Sequence, residues 1–219
     1  MPWSYSALTA YETCPRRYYH TRVAKDIVEP ETQALTWGNA VHKALELRAK
    51  ENKPLPTGME HWEPLIAKII GAGGEVFTEK QIALTKTFTP CDWFGPEVWV
   101  RGVVDIGVVK GPLLIAIDYK TGKPKRDSDQ LELFAALLMA VYPECDTVKT
   151  GFLWLKTNGV DQAKFERGDL PDIWNKFLPR VKALEEAHCT DRWPQRPSGL
   201  CRSWCPCVQC EHNGRYGSR

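Results

Sequence analysis

The sequence predicts an α/β fold in which a central mixed β-sheet is flanked by helices, and three observations predict it. Apolar spacing switches along the chain between helical and strand-like periods, in the order helices, strand meander, helix, strand, helix. Two β-branched runs, 98–109 and 113–121, meet at Lys110-Gly111-Pro112, the strongest hairpin signal in the chain. A helix at 127–142 and a strand at 149–156 follow that hairpin.

The elements can be justified in turn. Ser4 or Ser6 caps a first helix ending at Thr13, with Leu8 and Tyr11 as its apolar stripe. Cys14-Pro15 then breaks or kinks it. A second helix is predicted over 36–50, where Trp37, Val41, Ala44 and Leu45 fall at helical spacing. A linker with Pro and Gly, 53–58, leads to a third helix at 63–70. From 75 to 88 the residues alternate, with Val76, Thr78, Lys80, Ile82 and Leu84 on one side and Phe77, Glu79, Gln81 and Ala83 on the other. A last helix is predicted at 172–187, and a cysteine-rich tail follows it.

Composition narrows the class. With 29 Lys and Arg against 27 Asp and Glu, the formal charge is only +2, so any nucleic-acid surface must be local. Hydrophobic residues at 43% and charged residues at 26% exclude a disordered or collagenous chain. A chain of 219 residues buries roughly 70% of its unfolded surface, enough for one domain spanning 1–219. The longest apolar run, 133–142, is about half of what a bilayer needs. The start Met1-Pro2-Trp3-Ser4 lacks the basic and apolar regions of a signal peptide, and a cytoplasmic protein is expected.

The hairpin carries the first chemistry. Side chains two apart in a strand share a face, so Asp118 and Lys120 point one way and Tyr119 the other. With Lys110-Gly111 as a two-residue turn, pairing sums to 221, and Asp105 faces Ala116, diagonal to Asp118. Two carboxylates and an ammonium then converge on one patch. Such carboxylates repel unless a cation lies between them, and oxygen ligands suit Mg²⁺ or Mn²⁺. A divalent ion there would activate water and offset charge on a phosphoryl oxygen. The alternative is that both aspartates end their strands in salt bridges with Lys120 or Arg101.

These residues resemble the PD-(D/E)XK nucleases in their RecB-like branch. Ile117-Asp118-Tyr119-Lys120-Thr121-Gly122 is similar to the central DYKTG signature, and Gly102-Val103-Val104-Asp105 to the upstream GxxD motif. The run from Gly38 through His42 to Glu46 is similar to GxxxHxxLE. Gln130-Leu131-Glu132-Leu133-Phe134-Ala135 resembles the QLxxYA helix, with Phe134 where Tyr is usual. The motifs span 36–136 within a core of 36–142. The resemblance implies a restriction-endonuclease-like core in which His42, Asp105, Asp118 and the Tyr119 backbone carbonyl bind the metal. It makes Lys120 the catalytic lysine, lets Gln130 place that lysine or the scissile phosphate, and assigns Glu79 to the family's acidic position before the hairpin. From the residues alone, Gly38 removes a side chain where the helix must approach the sheet. A core histidine remains the other reading of His42, and a plain polar residue that of Gln130.

Four of the eight cysteines, Cys201, Cys205, Cys207 and Cys210, fall within ten residues. In a reducing compartment that clustering indicates metal or cluster ligation rather than disulfides. Four thiolates suit a [4Fe–4S] cluster or tetrahedral Zn²⁺. The resemblance implies a [4Fe–4S] cluster joining the chain ends, 1–25 and 190–214, through one N-terminal Cys-Pro and three C-terminal cysteines. Here that set is Cys14 with Cys201, Cys205 and Cys210, leaving Cys207 over. Cys201, Cys207 and Cys210 have workable spacing too, and the four tail cysteines alone could hold zinc. Cys91, Cys145 and Cys189 are expected to be small buried apolar residues.

Lys120, Lys123, Lys125 and Arg126 follow the proposed metal site, and Arg16, Arg17, Arg22 and Lys25 are interleaved with Tyr18, Tyr19 and His20. Basic side chains neutralise phosphates and aromatics stack unpaired bases. A solvated charged face is the plainer reading of both groups. The expected function is a Mg²⁺- or Mn²⁺-dependent DNA nuclease, acting as an exonuclease on single strands or duplex ends. Phage or prokaryotic DNA recombination, repair or processing is the expected setting, with proteins of those pathways as candidate partners. The sequence carries no signal of oligomeric state. Two other classes stay open: a non-catalytic DNA-binding or scaffolding subunit with an Fe–S or zinc site, and a zinc-stabilised interaction module.

Overall fold

In the computed structural model, which describes residues 1–124 and 129–217, the strand-like runs form one sheet in the order β1-β2-β3-β4-β5. The strands are β1 (Glu75–Leu84), β2 (Val100–Lys110), β3 (Leu113–Lys120), β4 (Thr147–Trp154) and β5 (Gly159–Glu166). The helices are α1 (Tyr5–Thr13), α2 (Pro15–Tyr18), α3 (Gln33–Glu51), α4 (Glu63–Ile70), α5 (Asp129–Val141) and α6 (Leu170–Thr190). β3 and β4 run parallel and the other neighbours antiparallel, so the sheet is mixed. A parallel pair needs a long crossover, and α5 supplies it. The architecture is consistent with a restriction-endonuclease-like core. No helix among the described residues is long and apolar enough to cross a membrane.

The chain groups into two compact units, Gln33–Asn175 and the pair of segments Trp3–Thr32 and Lys176–Arg219. In the first, α3 and α4 cover one sheet face, where Val41, Leu45 and Ile66 pack with Ile106, Tyr119 and Leu153. The opposite face carries α5, whose Leu131 packs with Phe152 and Trp154, while Thr150 Oγ1 donates to the Leu131 carbonyl at 3.1 Å. Phe152, Leu153 and Trp154 thus alternate between the two faces, as a strand requires. α5 is buried from Leu133 to Met139, and its nearly all-apolar run reflects that.

In the second unit, the Ser4 hydroxyl accepts from Ala7 N at 3.3 Å and caps α1. The N-terminal segment is fixed to α6 by Arg180, whose guanidinium donates twice to Glu12, at 2.6 and 2.8 Å. Trp3 stacks on Phe177, and Tyr18 meets His188 and Trp193. Both chain ends therefore belong to one packed body.

Three expectations need correction. The hairpin pairs Ile106 with Ile117 and Lys110 with Leu113, a sum of 223 rather than 221, so its turn is Gly111-Pro112. Gly111 has φ +56, which a lysine at that place would adopt only under strain, and a proline suits the second turn position of a type II′ hairpin. The loop still has two residues, so Asp118 and Lys120 keep one face as predicted, but Asp105 turns to His42 on the α3 side and does not share their patch. β5 has no counterpart in the sequence reading, since its mixed run of Asp161, Gln162 and Lys164 lies exposed on a sheet edge.

The regular alternation along β1 also fails, and the failure shapes the site. Phe77 stacks on Tyr142, and the Lys80 ammonium lies 5.2 Å from the same ring, so residues three apart share a face. Glu79 between them has φ +46. Opposite it, Gly102 faces Phe134 and Leu137 of α5, whereas Ile106, four residues on, joins the core under α3 and α4. The ladder runs from Thr78↔Ile106 to Lys80↔Val104 across this double inversion. A left-handed glutamate costs on the order of 1–3 kcal/mol, the kind of strain that collects at functional sites. Its effect is to turn Glu79 and Asp105 toward α3.

Candidate active site

His42 rises from α3 to meet this kink. Its Nδ1 lies 3.3 Å from Asp105 Oδ2, and its Nε2 lies 3.0 Å from the Tyr119 carbonyl. Asp105 Oδ2 also accepts from Tyr119 N at 2.7 Å, at the point where β2 and β3 part. One ligand atom each from His42, Glu79 and Asp105 lie within 4.8 Å of one another. Imidazole and carboxylate donors so grouped fit a divalent cation. Gly38, one turn before His42, is where the helix comes closest: a Cβ there would sit 3.3 Å from Thr121 Oγ1. A cleft lined by Leu35, Asn39, Lys43, Glu79 and Thr121 opens beside the histidine.

Asp118 and Lys120 point together toward α5, and Tyr119 points away, as alternation predicts. The Lys120 ammonium lies 2.5 Å from Asp118 Oδ2 and donates to Gln130 Oε1 at 3.1 Å. Gln130 Nε2 donates in turn to Asp118 Oδ1 at 3.0 Å, closing a triangle of three side chains. Under it lies Phe152, whose ring centroid is 4.8 Å from Lys120 Nζ. Sequence reasoning missed Phe152; it is the parallel-register partner of Asp118, and no local signal marks a parallel register.

The electrostatics follow from crowding. Burial, then the Asp105 charge, pushes the Asp118 carboxyl up to about 6, against the pull of Lys120 and His42. Burial likewise raises Glu79, with Asp105 adding to it. Burial alone would lower His42, but the Asp105 hydrogen bond and the charges of Asp105, Asp118 and Glu79 outweigh it, and its pKa is raised. Burial thus resists ionisation of both carboxyls, and their negative charge outweighs burial at His42, an imbalance that a bound cation would correct.

The cysteines form a separate feature in the unit of the chain ends. Cys14, Cys201, Cys205, Cys207 and Cys210 line one recess together with Arg16 and Arg17. The Cys201 sulfur accepts from Ser198 N at 3.4 Å and the Cys210 sulfur from Gln195 Nε2 at 3.6 Å. Cys207 is buried, and burial first, then neighbouring Cys205 and Cys14, pushes its thiol up to about 12. Donors on sulfur and converging thiols fit a thiolate-bound metal group. Arg17 is ion-paired with Glu29 at 2.8 Å. Of the other basic residues, Lys123 is exposed, and Lys125 and Arg126 lie outside the described residues. Cys145 is buried and Cys91 half-buried, but Cys189 near the end of α6 is exposed, against expectation.

Comparison with known proteins adds the following. A family model described as PD-(D/E)XK nuclease superfamily matches residues 2–70. That span contains Cys14 and His42 but not the hairpin with Asp105, Asp118 and Lys120. Among solved structures, one from Eubacterium rectale described as a "putative exonuclease" is similar at 12% identity and TM-score 0.54, over 95% of this chain and 85% of that one. Another, SSO0001, is similar at 14% identity and TM-score 0.47, over 97% and 87%. The first of these likenesses concerns the fold alone. No curated protein matches the sequence.

Proposed function

We propose that this chain is a divalent-metal-dependent deoxyribonuclease, and that His42, Glu79 and Asp105 form its metal site together with Asp118 and the Tyr119 carbonyl. The observation that carries this reading is the convergence of those three side chains within 4.8 Å, with Lys120, Asp118 and Gln130 closed into a triangle beside them. When bound, Mg²⁺ or Mn²⁺ supplies Lewis acidity toward a phosphoryl oxygen and a nucleophile at neutral pH. Lys120 supplies a fixed ammonium for the charge that builds on phosphate oxygens. Gln130 fixes the lysine and Asp118 at once, so neither has to reorganise during the reaction. Lys123, Lys125, Arg126, Arg16 and Arg17 are the basic residues that would neutralise phosphates of the bound strand.

The superfamily match supports nuclease chemistry, and exonucleolytic action on single strands or duplex ends is the mode we favour. Recombination, repair or processing of prokaryotic or phage DNA is the setting that suits it. We further assign Cys14, Cys201, Cys205 and Cys210 to a [4Fe–4S] cluster, with Cys207 the alternative to Cys205 and Zn²⁺ the alternative metal. Iron and sulfide analysis of anaerobically purified protein should find about four irons per chain with brown colour. A colourless protein carrying zinc would overturn the cluster.

The direct test incubates that protein with end-labelled single- and double-stranded DNA and Mn²⁺ or Mg²⁺, beside Asp105→Asn. Metal-dependent shortening that Asp105→Asn loses is the expected result. Tight DNA binding without cleavage, unaffected by the substitution, would replace the nuclease by a DNA-binding scaffold.

A further inference from the structure

The connection between β1 and β2, residues 85–99, is built around aromatic side chains, and they are used unequally. Phe88 stacks on Trp174 at 4.2 Å between centroids, and Trp99 packs against both, so the base of the loop is anchored. At the tip, Gly95 N donates to the Asp92 carbonyl at 2.9 Å, which makes Trp93 and Phe94 the two central residues of a tight turn. Phe94 is 85% exposed. Nothing in the packing of this loop uses its ring on the outer side.

Arg101 stands beside that turn. Its guanidinium carbon lies 5.2 Å from the Trp93 ring centroid and 5.8 Å from that of Phe94, while its buried Nε has no hydrogen-bond partner among the described residues. The result is an aromatic surface beside a guanidinium, on a stem anchored by Phe88, Trp99 and Trp174. Asp92 and Glu97 in the loop offset Lys86 and Arg101, so the tip carries no net charge with which to attract phosphate. What it offers a ligand is π-surface.

Its position relates it to the candidate active site. Gly102 faces α5, so Arg101 points to the other side of the sheet, the side of α3 and His42. Arg101 is four residues from Asp105 along β2, about 13 Å at the strand rise, a span of a few nucleotides. A strand whose phosphate lies at Asp105 would bring its neighbouring bases to this turn.

We propose that Phe94, with Trp93 and Arg101, is a stacking platform for the unpaired bases of single-stranded nucleic acid. The assignment rests on the nuclease reading for the identity of its ligand. Unpaired bases have open π-faces, which a duplex withholds except at its ends, so this surface selects single strands or frayed termini.

The test measures binding to a fluorescent single-stranded oligonucleotide and to one of equal length and charge with abasic sites, in EDTA so that neither is cleaved. Wild type should bind the base-bearing strand about tenfold more tightly, Phe94→Ala should erase that preference, and Phe94→Trp should restore it. Equal binding of both strands by wild type, or a preference that survives Phe94→Ala, overturns the platform. Cleavage of DNA by a wild type without base preference would overturn the platform and leave the nuclease reading standing. Base-dependent binding that Phe94→Ala erases, in a protein that never cleaves, would support the platform and sink the nuclease.

Discussion

Lys120→Met should lower metal-dependent DNA cleavage by about 10²–10⁴-fold while leaving Mn²⁺ binding in place, since removing a charge-stabilising or proton-transferring group costs that much. The distinction follows from the two halves of the site. His42, Glu79 and Asp105 come together on the α3 side of the kink, whereas Lys120 belongs to the triangle with Asp118 and Gln130 on the α5 side. Methionine keeps a flexible unbranched stem of nearly the same length, and its thioether can replace the ammonium against the Phe152 ring. It removes only the ammonium. Gln130→Leu should fall between wild type and Lys120→Met, because the lysine keeps its ion pair with Asp118 but loses its second anchor. Titration calorimetry with Mn²⁺, beside single-turnover cleavage, separates binding from chemistry. Near-wild-type cleavage by Lys120→Met would remove the lysine from the mechanism.

Much of this arrangement was legible beforehand, for identifiable reasons. A two-residue loop preserves strand parity whichever two residues form it, so Asp118 and Lys120 were placed correctly on one face although the register was off by two. The glycine before His42 was legible because a close helix–sheet approach excludes a Cβ. The inversion at Glu79 was not, because glutamate carries no local preference for a left-handed conformation and it sits in a polar block, Thr78-Glu79-Lys80-Gln81, where polarity cannot show a change of face. The packing of Phe77 and Lys80 on one ring, with the positive φ of Glu79, discloses it. The stacking of Phe152 under Lys120 was hidden for a different reason: it depends on how β3 and β4 pair across a long crossover. For the cysteine tail, composition led to the expectation of a metal site, but spacing admits several ligand sets, and all five cysteines line the same recess.

Asp118→Asn should stabilise the divalent-metal-free protein while disabling it. Burial and the Asp105 charge raise the Asp118 carboxyl from 3.8 to about 6, so the folded state resists its ionisation. The native protein therefore retains, between about pH 4 and 6, a proton that the unfolded chain has lost. The stability this contributes is complete below the unfolded value and gone once the pH exceeds the folded one. At neutral pH the ionised carboxylate is thus a net cost on the order of 1–3 kcal/mol, at about 1.4 kcal/mol per pKa unit. Asparagine keeps the shape, its Oδ1 still accepts from Gln130 Nε2, and it removes the charge together with the Lys120 ion pair. In EDTA at pH 7.5, thermal unfolding should shift upward by about 2–6 °C, and the gap should close as the pH is lowered toward 4. Added Mn²⁺ should reverse the ranking, since the cation relieves the repulsion in wild type and finds one charge fewer in the variant. An asparagine variant that melts at or below wild type in EDTA would mean that Lys120 already neutralises Asp118. The excess negative charge attributed to this pocket would then reside in Glu79 and Asp105 alone.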